Sequence, residues 1–144
     1  MPTPIAPTLE TAGAAVAEAD KELIAATDRW RLLMIQRLDD LAVSLTGHVA
    51  ETEAEDGLFA SVLADAPRLA KEVARLTQEH SELASQLSET RAAANDRGLV
   101  TDPHRVEALH LTVHSLLSLL DGHCHRSIQL MQDSVIIDLG GPVG

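Results

Sequence analysis

The chain has few of the residues that build sheets and disulfide-linked folds. Of its 144 residues only Trp30 and Phe59 are aromatic, none is tyrosine, and Cys124 is the single cysteine. The hydrophobic content of 45% therefore comes mainly from Leu, Ala, Val and Ile, which suit close-packed helices better than a sheet. A lone cysteine cannot form an internal disulfide. We expect an all-α protein in which Cys124 is a buried thiol.

Basic residues are also scarce, and the charge is uneven. The net charge is −11, and residues 1–65 alone carry 12 acidic and 4 basic side chains. So acidic a surface repels phosphate backbones and anionic lipid headgroups. We expect neither a nucleic-acid partner nor a membrane partner. A basic protein partner or a second copy of the chain stays open.

Long apolar runs are missing as well. No segment approaches the roughly 20 apolar residues that span a bilayer. The opening segment MPTPIAPTLE lacks the basic and apolar regions of a signal peptide. Together with the single cysteine, these absences predict a cytoplasmic protein.

Proline, glycine and helix-capping residues divide the rest of the chain into long helical stretches. Apolar residues recur there at spacings of three and four, which is typical of amphipathic helices. We predict an all-α, up-down four-helix bundle over residues 8–138. Its parts are an extended lead-in at 1–7, helices at about 8–26, 28–56, 66–94 and 102–136, and a flexible tail at 139–144. Residues 58–63 are expected to add one irregular turn, and the aspartate of the Asp65-Ala66-Pro67 segment to cap the third helix.

Three of the seven histidines occupy core positions of the predicted helices. In an up-down bundle, residues equidistant from a turn lie side by side on neighbouring helices. The midpoint between His48 and His80 falls at the Asp65–Pro67 turn, and the midpoint between His80 and His123 falls in the loop at 95–103. The three imidazoles should therefore converge on one layer. His110 and His114, four residues apart, lack a third ligand and are interpreted as a solvated pair.

Three buried imidazoles need partners, because an unsatisfied buried polar group costs a few kcal/mol. A transition metal bound by His48, His80 and His123 would satisfy them. The alternative is a hydrogen-bonded polar layer that only fixes helix register. Thr52, Thr77 and Ser127 should lie on one side of the layer. They would either line a pocket at the metal or bond back to their own helices.

Acidic residues near the second-helix histidine supply candidates for a fourth ligand. Glu51 and Glu55 flank Thr52 at the end of the predicted second helix. A carboxylate at either position could complete the coordination of a metal. The opposite reading, a solvated helix end, stays open for both.

Three segments around the core histidines form a recognisable pattern: His48 with the acidic run ETEAEDGLF at 51–59, Glu79-His80, and LLDGH at 119–123. With these segments the chain resembles the hemerythrin-like HHE cation-binding family over roughly residues 35 to 135. It also resembles small actinobacterial proteins of that type, which end in an Asp-hydrophobic-Gly-Gly segment, here residues 138–141. The resemblance implies a four-helix bundle with a carboxylate-bridged di-iron centre that handles oxygen, peroxide or nitric oxide.

The chain departs from the family pattern where bridging carboxylates are expected. Thr52 stands four residues after His48, and Ser127 and Ile128 follow His123. Residues 1–47 contain no histidine, and Glu10 is the acid nearest the right level. A single metal held by three histidines and water fits these residues better than a di-iron centre.

The leading hypothesis is therefore a small metal-binding protein of hemerythrin-like descent with a reduced, His-rich core site. Iron, mononuclear or dinuclear, is the first expected metal and zinc the second, with a small diatomic molecule as the expected ligand. No catalytic acid or base can be assigned. One alternative is a non-enzymatic helical interaction protein with a structural histidine layer. Another is haem held between two of the core histidines.

Overall fold

The computed structural model describes the backbone of residues 5–20 and 28–140 and the side chains of residues 9–19 and 28–135. This part of the chain contains helices and turns and no β-strand, which confirms the all-α prediction. Two short 3₁₀ turns, Pro67–Leu69 and Leu99–Thr101, precede the last two helices. The α-helices are α1 (Ile5–Asp20), α2 (Asp28–Glu53), α3 (Leu58–Asp65), α4 (Ala70–Ala94) and α5 (Pro103–Gly140).

The four long helices pack against one another. α2 contacts α1 and α4, and α5 contacts α4 and α1. α2 and α4 run antiparallel, because Arg31 reaches the carbonyl of Ala94 at one end while Glu53 contacts His80 towards the other. None of the described helices combines the length and the apolarity needed to cross a membrane.

Local capping explains where α5 begins. Asp102 accepts a hydrogen bond from the backbone N–H of His104 at 3.0 Å, and Pro103 is the first helical residue. Proline is favoured there because the N–H that it lacks would have no helical partner. α5 thus begins at the Thr101-Asp102-Pro103 signal, and α4 ends at Ala94.

Several predicted boundaries were wrong. The lead-in at 1–7 was expected to be extended, yet α1 begins at Ile5 because Pro7 lies in the first turn, where proline is tolerated. The tail was expected from residue 139, but α5 continues to Gly140, since one glycine costs a helix only about 1 kcal/mol. The predicted helix end at residue 26 lies outside the described residues, as do residues 141–144.

The segment between α2 and α4 also differs from the prediction. α2 ends at Glu53 instead of residue 56, and residues 58–65 form the separate helix α3. Asp65 is the last residue of α3 and makes no capping bond to the next helix, because the N–H of Ala66 still bonds to Val62. The 3₁₀ turn follows, so α4 begins only at Ala70.

Two clusters of buried apolar side chains fill the bundle. The leucine cluster lies among the four long helices and comprises Leu9, Val16, Ala19, Trp30, Met34, Leu38, Leu41, Leu45, Leu83, Leu87, Ala94, Leu99, Leu109, Val113, Leu116, Leu120 and Cys124. The end cluster lies where α3 joins α4 and α5 and comprises Phe59, Val62, Ala66, Leu69, Val73, Leu76 and Leu130. His80 lies between Leu76 and Leu83 on α4. The histidines thus separate the two clusters.

Candidate metal centre

The three core histidines converge as the turn midpoints predicted. His48 on α2, His80 on α4 and His123 on α5 are 4%, 3% and 0% exposed. Their ring centroids lie 4.8–5.2 Å apart. One ring nitrogen from each lies within 4.8 Å of those of the other two, close enough to share a metal ion.

Two of the histidines are oriented by carboxylates. His80 Nδ1 contacts Glu53 Oε2 at 2.5 Å, and His123 Nδ1 contacts Glu79 Oε1 at 2.9 Å. In metal sites a carboxylate at one ring nitrogen commonly fixes the imidazole so that its other nitrogen faces the metal. Both histidines therefore direct Nε2 towards the shared layer. The sequence analysis did not identify Glu53 or Glu79 as part of this site.

The same midpoint rule could have found both carboxylates. The midpoint between residues 53 and 80 falls at the α3–α4 turn, and the midpoint between 79 and 123 falls in the α4–α5 loop. Glu79 also lies three residues after Leu76 and four before Leu83, at the edge of the apolar stripe of α4. An acid opposite a core histidine at the same level is the signal that was missed.

A network of charges surrounds Glu79. Its Oε2 lies 2.5 Å from Arg126 Nη2 and 3.6 Å from Arg75 Nε, while Oε1 faces His123. Burial raises the pKa of Glu79, but the hydrogen bonds from Arg126 and His123 outweigh burial and bring the pKa below its ordinary value. The carboxylate is therefore ionised at neutral pH and can only accept hydrogen bonds.

The environment keeps two of the imidazoles in the form that binds metal. Burial, together with the nearby His80 and His123, lowers the pKa of His48 to about 3. Burial also lowers the pKa of His123, although the hydrogen bond to Glu79 opposes this shift. A metal ligand must be the neutral imidazole, and both side chains are neutral at pH 7.

Two ring nitrogens in the layer have no hydrogen-bond partner among the described residues. They are His48 Nδ1 and His80 Nε2, both buried. His48 Nε2 lies 3.0 Å from His123 Nε2. Two imidazole nitrogens bound tetrahedrally to one zinc at 2.0–2.1 Å would lie about 3.4 Å apart. The pair is thus close to the separation that a shared metal requires, and too close to hold a porphyrin between its two nitrogens.

The hydroxyls near the layer divide into two kinds. Thr52 Oγ1 donates to the carbonyl of His48 at 2.8 Å, and Thr77 Oγ1 donates to that of Val73 at 3.0 Å. Both threonines bond back to their own helices, as the simpler of the two predictions held. Ser127 Oγ is buried and finds no partner in the described part of the chain. It is the one hydroxyl of the three that does not bond back to its own helix.

The structure does not bring the predicted fourth ligands to the histidines. Glu51 and Glu55 are both exposed, and the group that could share an ion consists of the three histidines alone. Glu51 lies in the last turn of α2, and Glu55 lies between α2 and α3. Glu53, between them, has its carboxylate on the Nδ1 side of His80 and thus does not face the layer's centre. Ligation by Glu51 or Glu55 stays a prediction.

α3 closes the end-cluster side of the layer. The Phe59 ring lies almost parallel to that of His80, at 12° and with centroids 5.7 Å apart. Gly57 permits the tight turn before α3, because a Cβ there would clash with the carbonyl oxygen of Glu51. The tight turn at Gly57 therefore places an aromatic ring over the histidine.

A small cavity of about 10 Å³ lies on the other side of the layer. Three of its leucines stand one turn from the histidines, on α2, α4 and α5. A cavity this small and apolar is close to the size of one water molecule but offers it no hydrogen bonds. Its full lining is Leu9, Leu41, Leu45, Leu83, Leu87, Leu116 and Leu120.

The remaining candidates lie apart from the layer. The rings of His110 and His114 lie 4.6 Å apart on α5, with His114 exposed. Cys124 is buried, and burial and the charges of Glu10 and Asp121 raise the pKa of its thiol to about 11. Such a thiol stays protonated and unreactive, as predicted for a buried cysteine.

The chain matches no family model, no curated protein and no solved structure. The hemerythrin-like resemblance stays a prediction. The geometry of the histidine layer is therefore the basis for a functional proposal.

Proposed function

We propose that the protein binds one transition-metal ion through His48, His80 and His123, using the Nε2 atom of each. The observation that carries the proposal is the orientation of His80 and His123. Each gives Nδ1 to a carboxylate, and His80 is left with a buried Nε2 that has no partner among the described residues. A metal ion would satisfy that nitrogen and complete two carboxylate–histidine–metal arrangements.

Zinc and iron are the two metals that the proposal considers. Three neutral imidazoles with an open fourth position are the donor set of several catalytic zinc sites. The sequence resemblance to hemerythrin-like proteins favours iron, and iron would supply oxygen, peroxide or nitric oxide chemistry. The layer offers no carboxylate to bridge two irons, since both of its acids contact Nδ1 atoms. A mononuclear site fits the side chains better than a dinuclear one.

A small diatomic molecule is the ligand that best suits the surroundings. The leucine-lined cavity one turn from the histidines is apolar and too small for a larger metabolite. Phe59 covers His80 from the other side. These features support a site that senses or handles a diatomic ligand. A single buried thiol and no internal disulfide are compatible with the reducing cytoplasm, where we place the protein.

A hydrogen-bonded layer without metal is the second candidate. It is favoured by the 3.0 Å contact between His48 Nε2 and His123 Nε2, which continues through Glu79 to Arg126. Such a chain of hydrogen bonds would fix helix register. The protein would then act through its acidic surface, on a basic partner or as a homo-oligomer.

Elemental analysis with a matched pair of variants tests the proposal. Untagged protein, reconstituted anaerobically with iron(II) or zinc, should hold about one equivalent per chain, as three ligands around one ion require. His80→Ala and His80→Gln should lose it, whereas His125→Ala, an exposed histidine on α5, should retain it. Metal at 100 times its Kd should also stabilise the wild type by about 2.7 kcal/mol.

Two results would contradict the proposal. One is full metal content in both His80 variants. The other is a wild-type protein that stays metal-free after reconstitution and whose melting temperature chelator does not change. The second result would instead support the hydrogen-bonded layer.

A further inference from the structure

We infer that Glu79 is a positioning residue, which fixes His123 in the tautomer that leaves Nε2 free for the metal. The inference rests on the proposed metal site for its consequence, a higher metal affinity. The orientation of His123 itself can be tested in the metal-free protein. Glu79 is buried, with 5% exposure, and carboxylates are almost never buried unless they are paired.

The contacts of Glu79 assign one carboxylate oxygen to Arg126 and the other to His123. Arg126 donates from Nη2 to Oε2, and Oε1 is left for His123 Nδ1. An ionised carboxylate has no proton to donate, so the proton in this contact belongs to Nδ1. In a neutral imidazole, Nε2 must then carry the lone pair that a metal needs.

Arg126 holds the carboxylate in place, and a glycine on α5 leaves space for its guanidinium. The guanidinium folds back over Gly122, where a Cβ would lie 2.9 Å from Nη2. Arg75 approaches the same oxygen, at 3.6 Å, but its side chain is 65% exposed. The buried acid is thus fixed chiefly by Arg126 and has little freedom to turn away from His123.

Glu53 makes the corresponding contact to His80, but at the surface. Its side chain is 34% exposed, so water competes for the carboxylate. It also has no arginine among the ion pairs of the described residues. The two histidines are therefore held unequally, and Glu79 is the stronger of the two positioning residues.

Glu79→Gln is a sharp test because Arg126 remains. The guanidinium will take the single oxygen of the amide and turn its NH₂ group towards His123 Nδ1. That nitrogen must then accept, so the proton moves to Nε2 and blocks the metal. We expect a 10- to 100-fold weaker zinc affinity, the range seen when such carboxylates are removed from other sites.

Two measurements are made on each variant. Zinc affinity is measured by competition with a chromophoric chelator, and the His123 tautomer is read from imidazole ¹⁵N chemical shifts in the metal-free protein. The control is Glu82→Gln, which removes the same charge from an exposed position one turn along α4. It should leave both readouts unchanged, and Glu53→Gln should weaken zinc binding less than Glu79→Gln.

The possible failures can be told apart. An unchanged tautomer and unchanged zinc affinity in Glu79→Gln would overturn this inference while leaving the metal site standing. If the wild type binds neither zinc nor iron(II), the proposed function fails, and the tautomer of metal-free His123 decides the positioning role alone. A circular dichroism spectrum like that of the wild type establishes that the variant is folded.

Discussion

The two sides of the histidine layer are built differently. The leucine cluster takes side chains from four long helices and includes the most completely buried residues, such as Met34 and Leu38. The end cluster is smaller and depends on the eight-residue helix α3 and the turn that follows it. The leucine cluster can stabilise the bundle through the apolar area that it buries, whereas the end cluster mainly covers the histidines.

This difference explains how a polar layer is tolerated in the core. Burying three imidazoles and a carboxylate carries a desolvation cost of a few kcal/mol for each group that lacks a partner. The leucine cluster offsets this cost, since a fully buried leucine contributes about 1.5–3 kcal/mol. The end cluster keeps solvent from the layer, with Phe59 packed directly on His80.

The largest expected effect comes from removing a leucine on either side of the layer. Leu38→Ala in the leucine cluster should lower the free energy of unfolding by about 4–5 kcal/mol, because a large cavity forms among long, constrained helices. Leu130→Ala in the end cluster should cost nearer 2–3 kcal/mol, because α3 can settle into the space. Urea denaturation of the metal-free proteins measures both.

The two leucines are matched controls for each other, since they are 0% and 2% exposed. Equal losses would mean that the end cluster stabilises the fold as much as the leucine cluster does. A larger loss for Leu130→Ala would reverse the comparison and make α3 a main element of the core.

The layer between the clusters should respond to acid. His48 titrates at about 3 in the folded protein and at 6.5 in the unfolded chain, so the unfolded chain binds more protons between these values. Stability should therefore be unaffected by His48 above pH 6.5 and fall as the pH drops below it. The slope from this group is at most about 1.4 kcal/mol per pH unit.

Chemical denaturation of the metal-free protein between about pH 7 and pH 4 measures this dependence. His48→Leu should reduce the slope, because it removes one of the two buried imidazoles whose pKa is lowered. His104→Leu, at an exposed position at the start of α5, should not. The same slope in His48→Leu as in the wild type would show that other groups cause the acid sensitivity.

The sequence predicted those features that follow from periodicity and turn chemistry. The spacing of apolar residues gave the long helices, and the Gly and Pro signals placed His48, His80 and His123 on one layer. The sequence analysis missed α3, because eight residues after Gly57 are too few for periodicity to reveal a helix. It also chose Glu51 and Glu55 over Glu53, because it followed the stripe of α2 and not the level of His80.

The partners of the polar atoms could not be derived in the same way. Whether Ser127 bonds to its own helix, as Thr52 does, depends on rotamers and not on spacing. The contact between Arg126 and Glu79 depends on the space above Gly122, which only the packed helices define. Such interactions are set by tertiary packing, and the sequence pattern carries little information about them.

The smallest expected effects come from replacing two glycines within helices, one packed beside the leucine cluster and one on the surface. A Cβ at Gly13 on α1 would lie 2.6 Å from Leu120 Cδ2, whereas a Cβ at Gly47 on α2 would meet nothing within 4 Å. Gly47→Ala should therefore gain the full helix propensity and raise the free energy of unfolding by about 0.5–1 kcal/mol.

Gly13→Ala gains the same propensity but must displace the Leu120 side chain in a packed region, where crowding typically costs about 1–3 kcal/mol. We expect a net loss of about 1 kcal/mol, measured by urea denaturation beside Gly47→Ala. If both alanines stabilise the protein equally, the small cavity beside Leu120 has absorbed the displaced side chain. The leucine cluster would then be less tightly packed against α1 than the close approach of Leu120 to Gly13 indicates.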